Sequence, residues 1–164
     1  MSDERADRTS DERADRGPGM DLAHLVGRRG TSSFTVAPEH TTTVFGEQDD
    51  PPGLPAADDA TPEEAVSVLG TPHLLARVEF TARESIRGGL PAGMGVVGER
   101  MEVTHRGPAT VGADLAVETA VARVEGRRVV FEGDVDDGDR CVGRATVVLR
   151  VIERDRFRTA VDRG

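Results

Sequence analysis

The feature that most constrains the fold is one long helix pattern followed by four consecutive strand patterns. Thr71-Pro72 opens the helix, since proline is favoured at a first helical position, and Gly88-Gly89 ends it. Beyond Leu90 everything is predicted to be strand, with apolar residues concentrated in segments 95–105, 114–124, 127–135 and 141–152. Their short turns suit an antiparallel meander, and segment 141–152 is apolar on both faces, as in a central strand. This order predicts an α+β fold with one long helix packed on an antiparallel sheet.

The region before the long helix contains shorter elements. Segments 33–36 and 41–44 are rich in β-branched residues and are predicted to be extended. An acidic, proline-rich loop covers 47–60, and loops of this length are commonly functional. Thr61-Pro62-Glu63-Glu64 then fits a capping box, which predicts a short helix that stops near Leu69-Gly70.

The N-terminal region repeats a heptapeptide, at 2–8 and again at 10–16, with almost no apolar side chain. A segment that cannot bury apolar surface does not offset the entropy cost of folding. Residues 1–19 are therefore predicted to be a disordered tail, with a partner-binding arm as the alternative. Residues 20–164 are predicted to form one domain.

The charge of the chain disfavours some classes of partner. A net charge of −9 argues against a nucleic-acid-binding protein. No apolar run approaches the roughly 20 residues of a membrane span, and the charged N-terminus lacks the apolar core of a signal peptide. Cys141 is the one cysteine and no Cys/His cluster has metal-site spacing, so we expect a cytoplasmic protein without metal or cofactor. The acidity fits either a salt-rich cytoplasm or a G+C-rich genome.

Glu79 is a candidate because it interrupts an apolar helical stripe formed by Leu75, Ala82 and Ile86. A carboxylate that faces a core is costly unless it is paired or protonated. Such a position suits a general base or a group that orients water. The alternative is a glutamate at the helix edge that reaches solvent or pairs with Arg83.

His105 is a candidate because of its place on the first long strand. Every second residue shares a face, which puts Val97, Glu99, Met101, Val103 and His105 in one row with the histidine at its end. Histidine is the usual acid or base near neutral pH. The alternative is a core histidine with both ring nitrogens paired.

Thr71 is first of all a candidate N-cap at a Gly-Thr-Pro junction. The same helix N-terminus offers free N–H groups and the positive end of the helix dipole, which suit a carbonyl oxygen that gains charge. Ser67, Ser85 and Cys141 have no convincing partner for a nucleophile.

These residues together resemble a known family. Gly70-Thr71, then Glu79 eight residues after Thr71, then Val103-Thr104-His105 with the histidine twenty-six residues after Glu79, are similar to the fluoroacetyl-CoA thioesterase type of hotdog enzyme. The hairpin at 124–128 and the turn at 137–138 are similar too.

The resemblance implies a hotdog fold, in which a curved antiparallel sheet wraps one long helix. It implies that Thr71 is the nucleophile or polarises the carbonyl, His105 is the general base, and Glu79 orients the histidine or the water. The Gly98 backbone would lie near the acyl group. It further implies a homodimer with active sites at the subunit interface and no metal.

The substrate implied is a short or medium acyl-CoA. The fluoroacetate-specific enzyme has aromatic lid residues before its catalytic threonine, whereas residues 65–69 here contain no aromatic side chain. Coenzyme A carries phosphates, for which Arg106 and Arg144 are the candidate ligands. The alternative is a non-catalytic acyl-CoA-binding hotdog domain. A hotdog hydratase is not indicated, because the Asp-x-x-x-x-His run typical of that class is missing.

Overall fold

The computed structural model describes residues 20–163, so the tail predicted at 1–19 lies outside the described residues. The main elements, in chain order, are β1 (Arg29–Thr35), β2 (Thr41–Val44), β3 (Val66–Leu69), α1 (Thr71–Ile86), β4 (Met94–His105), β5 (Asp114–Glu125), β6 (Arg128–Asp137), β7 (Arg140–Glu153) and α2 (Arg154–Asp162). Single 3-10 turns lie at Ala23–Leu25, Pro38–His40, Pro62–Glu64 and Arg87–Gly89. No helix within the described part is long and apolar enough to cross a bilayer.

The main sheet has five antiparallel strands in the order β1-β5-β6-β7-β4. The predicted fold class is confirmed: one long helix packs on an antiparallel sheet. The meander is right for β5, β6 and β7, and β7 is internal, as its two apolar faces predict. It is wrong for β4, which pairs with β7 rather than β5, because segment 106–113 carries the chain across to the opposite part of the sheet.

Helix α1 lies against the sheet through one apolar face. The residues of α1 that are fully buried in the core are Leu74, Val78, Ala82 and Ile86. The helix approaches the strands closely at several glycines: a Cβ at Gly133 would lie 2.5 Å from Val78 Cγ1, and one at Gly143 would lie 2.7 Å from Leu74 Cδ1. These glycines let the helix axis sit near the centre of the sheet.

The buried face of α1 differs by one position from the predicted stripe. Leu75 and Glu79 are only half-buried and lie on the flank of that face, whereas Leu74 and Val78 occupy its centre. Ala82 and Ile86 are buried as predicted. The carboxylate of Glu79 is therefore beside the core rather than inside it.

The prediction of a short helix before Leu69-Gly70 is wrong beyond the first turn of that helix. The Thr61 N–H donates to the Glu64 carboxylate over 2.7 Å, as in a capping box, but the 3-10 turn ends at Glu64. Val66–Leu69 then forms β3, which pairs antiparallel with β2 in a two-stranded sheet. Its β-branched residues suit this pairing.

The prediction that everything beyond Leu90 is strand is wrong for the C-terminal residues, which form α2. No side chain of α2 is buried, so the helix has no core-facing stripe of the kind that marks α1.

Candidate active site

Thr71 is the first residue of α1, and the N-cap is Gly70. Gly70 is held by its N–H, which donates to the His40 carbonyl over 2.9 Å. A Cβ at Gly70 would lie 2.5 Å from the Thr42 Oγ1 atom, so only glycine fits here without displacing β2. The N-cap interpretation of Thr71 is therefore wrong, and the Thr71 hydroxyl is not used for capping.

The Thr71 hydroxyl instead pairs with His105. Thr71 Oγ1 and His105 Nδ1 lie 2.8 Å apart, although the residues are 34 positions apart in sequence. His105 is the last residue of β4 and lies opposite Gly143 of β7. Because Gly143 has no side chain, Leu74 packs there and brings the first turn of α1 to the end of β4. A hydroxyl that donates to a neutral imidazole nitrogen is the arrangement of an activated nucleophile and its base.

The second ring nitrogen of His105 lacks a partner within residues 20–163. Its Nε2 atom is buried and makes no hydrogen bond there. When Thr71 donates to Nδ1, the ring proton of a neutral histidine sits on Nε2. A buried N–H without an acceptor is unfavourable and is found in few places in proteins. The alternative of a core histidine with both nitrogens paired does not describe His105.

A β-bulge in β4 decides which residues share the face of His105. The β4–β7 register shifts between Gly98 and Arg100, so Glu99 is an extra residue and the alternation of faces reverses there. The predicted row is therefore wrong for Val97 and Glu99. The helix-facing residues of β4 are Met94, Val96, Gly98, Met101, Val103 and His105.

Glu79 lies beside Gly98 and has two different neighbours. Its Oε1 atom is 3.4 Å from Arg83 Nη1, so the pairing considered as the alternative for Glu79 is present. On the other side, the carboxylate faces β4, because a Cβ at Gly98 would lie 3.3 Å from the same oxygen. The side chain of Glu79 is 19% exposed, which leaves it open to a small ligand or water.

The predicted catalytic residues thus form two groups. Thr71 contacts His105, and Glu79 contacts the backbone region of Gly98. Eight residues of helix place Glu79 about 12 Å beyond Thr71 along the axis of α1. This spacing suits a carboxylate that acts on substrate or water better than one that orients the His105 ring.

The two predicted coenzyme A ligands lie in different places. Arg144 follows Gly143, the neighbour of His105, so it points to the opposite face of the sheet. There its Nε donates to Asp134 over 2.7 Å, and the Asp134 carboxylate raises the pKa of Arg144 above its usual range. The described chain therefore does not bring Arg144 to the Thr71–His105 pair. Arg106 is exposed and directly follows His105, so it remains the nearer candidate.

A second cluster of histidines near Thr71 was not predicted. The His40 and His73 rings stack with centroids 3.9 Å apart, and Arg77 Nε donates to His73 Nε2 over 3.2 Å. The Arg77 guanidinium also lies 4.5 Å from the centre of the Phe34 ring. The helical spacing of His73 and Arg77 is visible in the sequence, but His40 comes from a separate 3-10 turn and carries no such signal.

This cluster predicts a pH dependence of stability. Burial lowers the pKa of His73, and the charges of His40 and Arg77 lower it further, while Glu39 raises it. The unfolded chain therefore binds a proton at His73 near pH 6.5 that the folded chain binds only at lower pH. Stability is fully present above about pH 6.5 and falls as the pH drops below it, by at most about 1.4 kcal/mol per pH unit for one proton.

Urea unfolding at pH 8.0 and pH 5.5 measures this dependence. His73→Gln is expected to reduce the difference in unfolding free energy between the two pH values. The exposed His24 provides a control, because His24→Gln should keep the difference of the unmodified protein. An undiminished difference in His73→Gln would show that this residue does not cause it.

The residues of this site fall within a match to a known protein family. The family model of the fluoroacetyl-CoA-specific thioesterases matches residues 56–155, which include Thr71, Glu79, Gly98 and His105. No curated protein matches this chain significantly.

Solved structures give the same fold. The fluoroacetyl-CoA thioesterase FlK is 25% identical, with 89% of this chain and 98% of FlK covered and a TM-score of 0.69. A hot-dog-like protein from Thermanaerovibrio acidaminovorans is 27% identical, with 87% and 95% covered and a TM-score of 0.69. The thioesterase superfamily member TTHA0967 of Thermus thermophilus is 18% identical, with 84% and 90% covered and a TM-score of 0.69, a likeness of fold alone.

The family match covers more than half of the chain, and the hotdog fold agrees with the observed helix and sheet. The chain therefore belongs to the fluoroacetyl-CoA-specific thioesterase family and is a thioester hydrolase with a hotdog fold.

Proposed function

We propose that this protein hydrolyses a short or medium acyl-CoA, with Thr71 and His105 as its reactive pair. The observation that carries the proposal is the 2.8 Å contact between Thr71 Oγ1 and His105 Nδ1. Two roles fit the hydroxyl. It attacks the thioester carbonyl as a nucleophile, or it polarises that carbonyl while water attacks.

In the nucleophilic mechanism, Thr71, His105 and water account for every bond and proton. The Thr71 oxygen bonds to the carbonyl carbon and its proton moves to His105 Nδ1. The carbon–sulfur bond then breaks, and the coenzyme A sulfur leaves with the proton from the histidinium. In a second step water attacks the acyl-threonine, the bond between the carbonyl carbon and the Thr71 oxygen breaks, and one proton of the water returns to that oxygen. The free acid is released and the Thr71 hydroxyl is regenerated.

The helix N-terminus supports either route. Thr71 is at the first position of α1, where the earliest backbone N–H groups have no acceptor within the helix. A carbonyl oxygen that gains negative charge is stabilised there by these N–H groups and by the helix dipole. Removal of one such donor in other enzymes costs about 100- to 1000-fold in rate.

Glu79 supplies the second polar group of the proposed site. Its carboxylate lies over the Cα of Gly98 and has no contact with His105 that would make it an orienting group. We therefore assign it to the attacking water. We assign the Gly98 backbone to the neighbourhood of the acyl group, as the family resemblance implies.

We further propose that the protein is a homodimer paired along β4. Strand β4 borders only β7, so its outer edge has no partner strand within residues 20–163. An unpaired edge of twelve residues is a ready template for a second chain. Gly98 and His105 lie on this strand, so pairing would place the sites at the interface.

Coenzyme A is the proposed carrier because a mutant of FlK has been solved in complex with fluoroacetate and CoA. The fluoroacetyl group itself is not part of the proposal. Strand β3, which leads into Thr71, contains no aromatic side chain that could serve as a lid over so small a group.

Thiol release from a panel of acyl-CoAs, acetyl to decanoyl, tests the proposal. We expect many turnovers per chain with a preference among chain lengths, and a dimer mass by light scattering of the same sample. The same acyl groups on pantetheine distinguish recognition of the nucleotide from recognition of the thioester alone. Tight binding of acyl-CoA without release would instead identify a non-catalytic binding domain.

A further inference from the structure

Two opposite charges on β4 have no partner in the described part of the chain. Arg100 and Glu102 are both exposed, and neither side chain makes an ion pair or a hydrogen bond there. They lie on the outer face of the sheet, away from α1, because Met101 between them faces the helix. Their direct neighbours on β7 are Val148 and Thr146, which carry no charge.

Other charges on the outer face are paired across neighbouring strands. Asp134 of β6 and Arg144 of β7 are direct register partners, and their side chains form an ion pair of 2.7 Å. The bulge residue Glu99 contacts Arg150 of β7 over 3.4 Å. Opposite charges on facing residues stabilise an antiparallel pair, whereas like charges destabilise it. Along its free edge, β4 lacks a neighbouring strand within residues 20–163 to supply such a partner.

Arg100 and Glu102 are complementary to a second copy of themselves. In an antiparallel pair of two β4 strands about a two-fold axis, residues equally distant from the axis on opposite sides face one another. An axis through Met101 sets Arg100 of each copy against Glu102 of the other. If the axis moves by one residue in either direction, Arg100 faces Arg100 or Glu102 faces Glu102, and like charges meet.

We infer that β4 pairs with β4 of a second copy about Met101, in a register that is selected by two ion pairs between Arg100 and Glu102. This inference rests on the homodimer that forms part of the proposed function, and it specifies which residues meet. Charges on an edge strand ordinarily prevent pairing with other strands. The order of these two charges admits this chain in one register and repels it in the two neighbouring registers.

The register also brings a residue of the second copy to His105. His105 lies four residues beyond Met101, and Glu99 is the extra residue of the bulge, so His105 faces Val96 of the second copy. Val96 and His105 are both on the helix-facing side of their strand, and directly opposed side chains have Cβ atoms about 5 Å apart. The second copy therefore contributes an apolar side chain next to the imidazole.

Reversal of the two charges tests the inference through the mass of the protein, measured by sedimentation over a dilution series at low salt. Arg100→Glu and Glu102→Arg each replace two attractive contacts by two repulsive ones. Each is expected to raise the dimer dissociation constant at least about tenfold. A double variant with both reversals regains both ion pairs and should dimerise like the unmodified protein. An equimolar mixture of the two single variants should form heterodimers.

A matched control and a cross-link complete the experiment. Arg29 is an exposed arginine on β1, the other edge strand, where it pairs with Glu118 over 3.6 Å, so Arg29→Glu should leave the dissociation constant unchanged. In a Cys141→Ser background, Met101→Cys should form a disulfide between two copies under a mild oxidant. Val103→Cys should not, because the two copies of that position lie far apart in this register.

The outcomes separate this inference from the proposed function. A dimer that is indifferent to both single reversals overturns the register and leaves the homodimer standing. Dissociation of the single variants without recovery in the double variant and the mixture also overturns it, because the two charges would then not act on each other. A chain that is monomeric at every concentration removes the homodimer too. Thiol release enters none of these comparisons, so the hydrolase proposal stands or fails separately.

Discussion

Replacement of His105 by alanine is expected to lower kcat by at least about 100-fold, the usual contribution of a general base. The Thr71 hydroxyl then has no acceptor for its proton, because its 2.8 Å partner is the His105 ring. The Michaelis constant should change less than kcat. In the proposed mechanism the imidazole transfers a proton during the reaction and does not bind the coenzyme. Steady-state thiol release with the best acyl-CoA measures both constants.

A histidine elsewhere provides the control for that loss. His24 lies at the surface, where its Nε2 contacts the Gly89 carbonyl over 2.9 Å, and His24→Ala should keep full activity. Thermal unfolding of both variants shows whether the fold is intact. Full activity of a folded His105→Ala protein would remove this residue from the mechanism.

Glu79→Gln is expected to lower kcat by a similar factor of at least about 100. Glutamine has the same shape and keeps an acceptor oxygen, but it cannot take a proton from water. The change leaves the close approach to Gly98 intact, and the contact with Arg83 loses only its charge. A half-buried carboxylate that served only to pair with Arg83 would be replaceable by glutamine at little cost in rate.

Glu84 offers a matched control on the same helix. It is exposed and pairs with Arg87 over 2.9 Å, so Glu84→Gln removes an ion pair of the same type without touching β4. Comparable activity of Glu79→Gln and Glu84→Gln would show that the Glu79 carboxylate is structural.

The fold class could be predicted because its main signals are local. The proline at the start of α1, the glycines after it and the apolar segments of the later strands are all read within a few residues. The limits of β4, predicted as 95–105, differ from Met94–His105 by one residue. The family resemblance then joined these local elements into the hotdog arrangement.

The features that were missed depend on non-local contacts. The pairing of β4 with β7 and the bulge at Glu99 cannot be derived from alternation, because alternation assumes an unbroken register. The bulge moved Val97 and Glu99 off the face that was assigned to them. The capping box at 61–64 predicts a helix that continues to Leu69, whereas Val66–Leu69 is a strand because it pairs with β2, which is distant in sequence.

The sequence predicts which residues belong to the candidate site, but not how they are arranged in space. A helix start and a strand end indicate Thr71 and His105 as candidates, but their contact across 34 positions is visible only in the structure. The same holds for Glu79, whose neighbour is Gly98 rather than His105. Arg144 was a candidate ligand of coenzyme A, but the structure does not bring it to the site. Its position on β7 turns its side chain to the other face of the sheet, where it pairs with Asp134.

The measurement that tests the central claim most directly is hydrolysis in water enriched in oxygen-18. Unmodified protein is incubated with excess of its best acyl-CoA, and free thiol and labelled acid are quantified together. We expect equal amounts of both over many turnovers, with one solvent oxygen in each acid, and loss of both products in His105→Ala. Bound acyl-CoA that stays intact, or thiol release at the same rate without His105, would contradict the account.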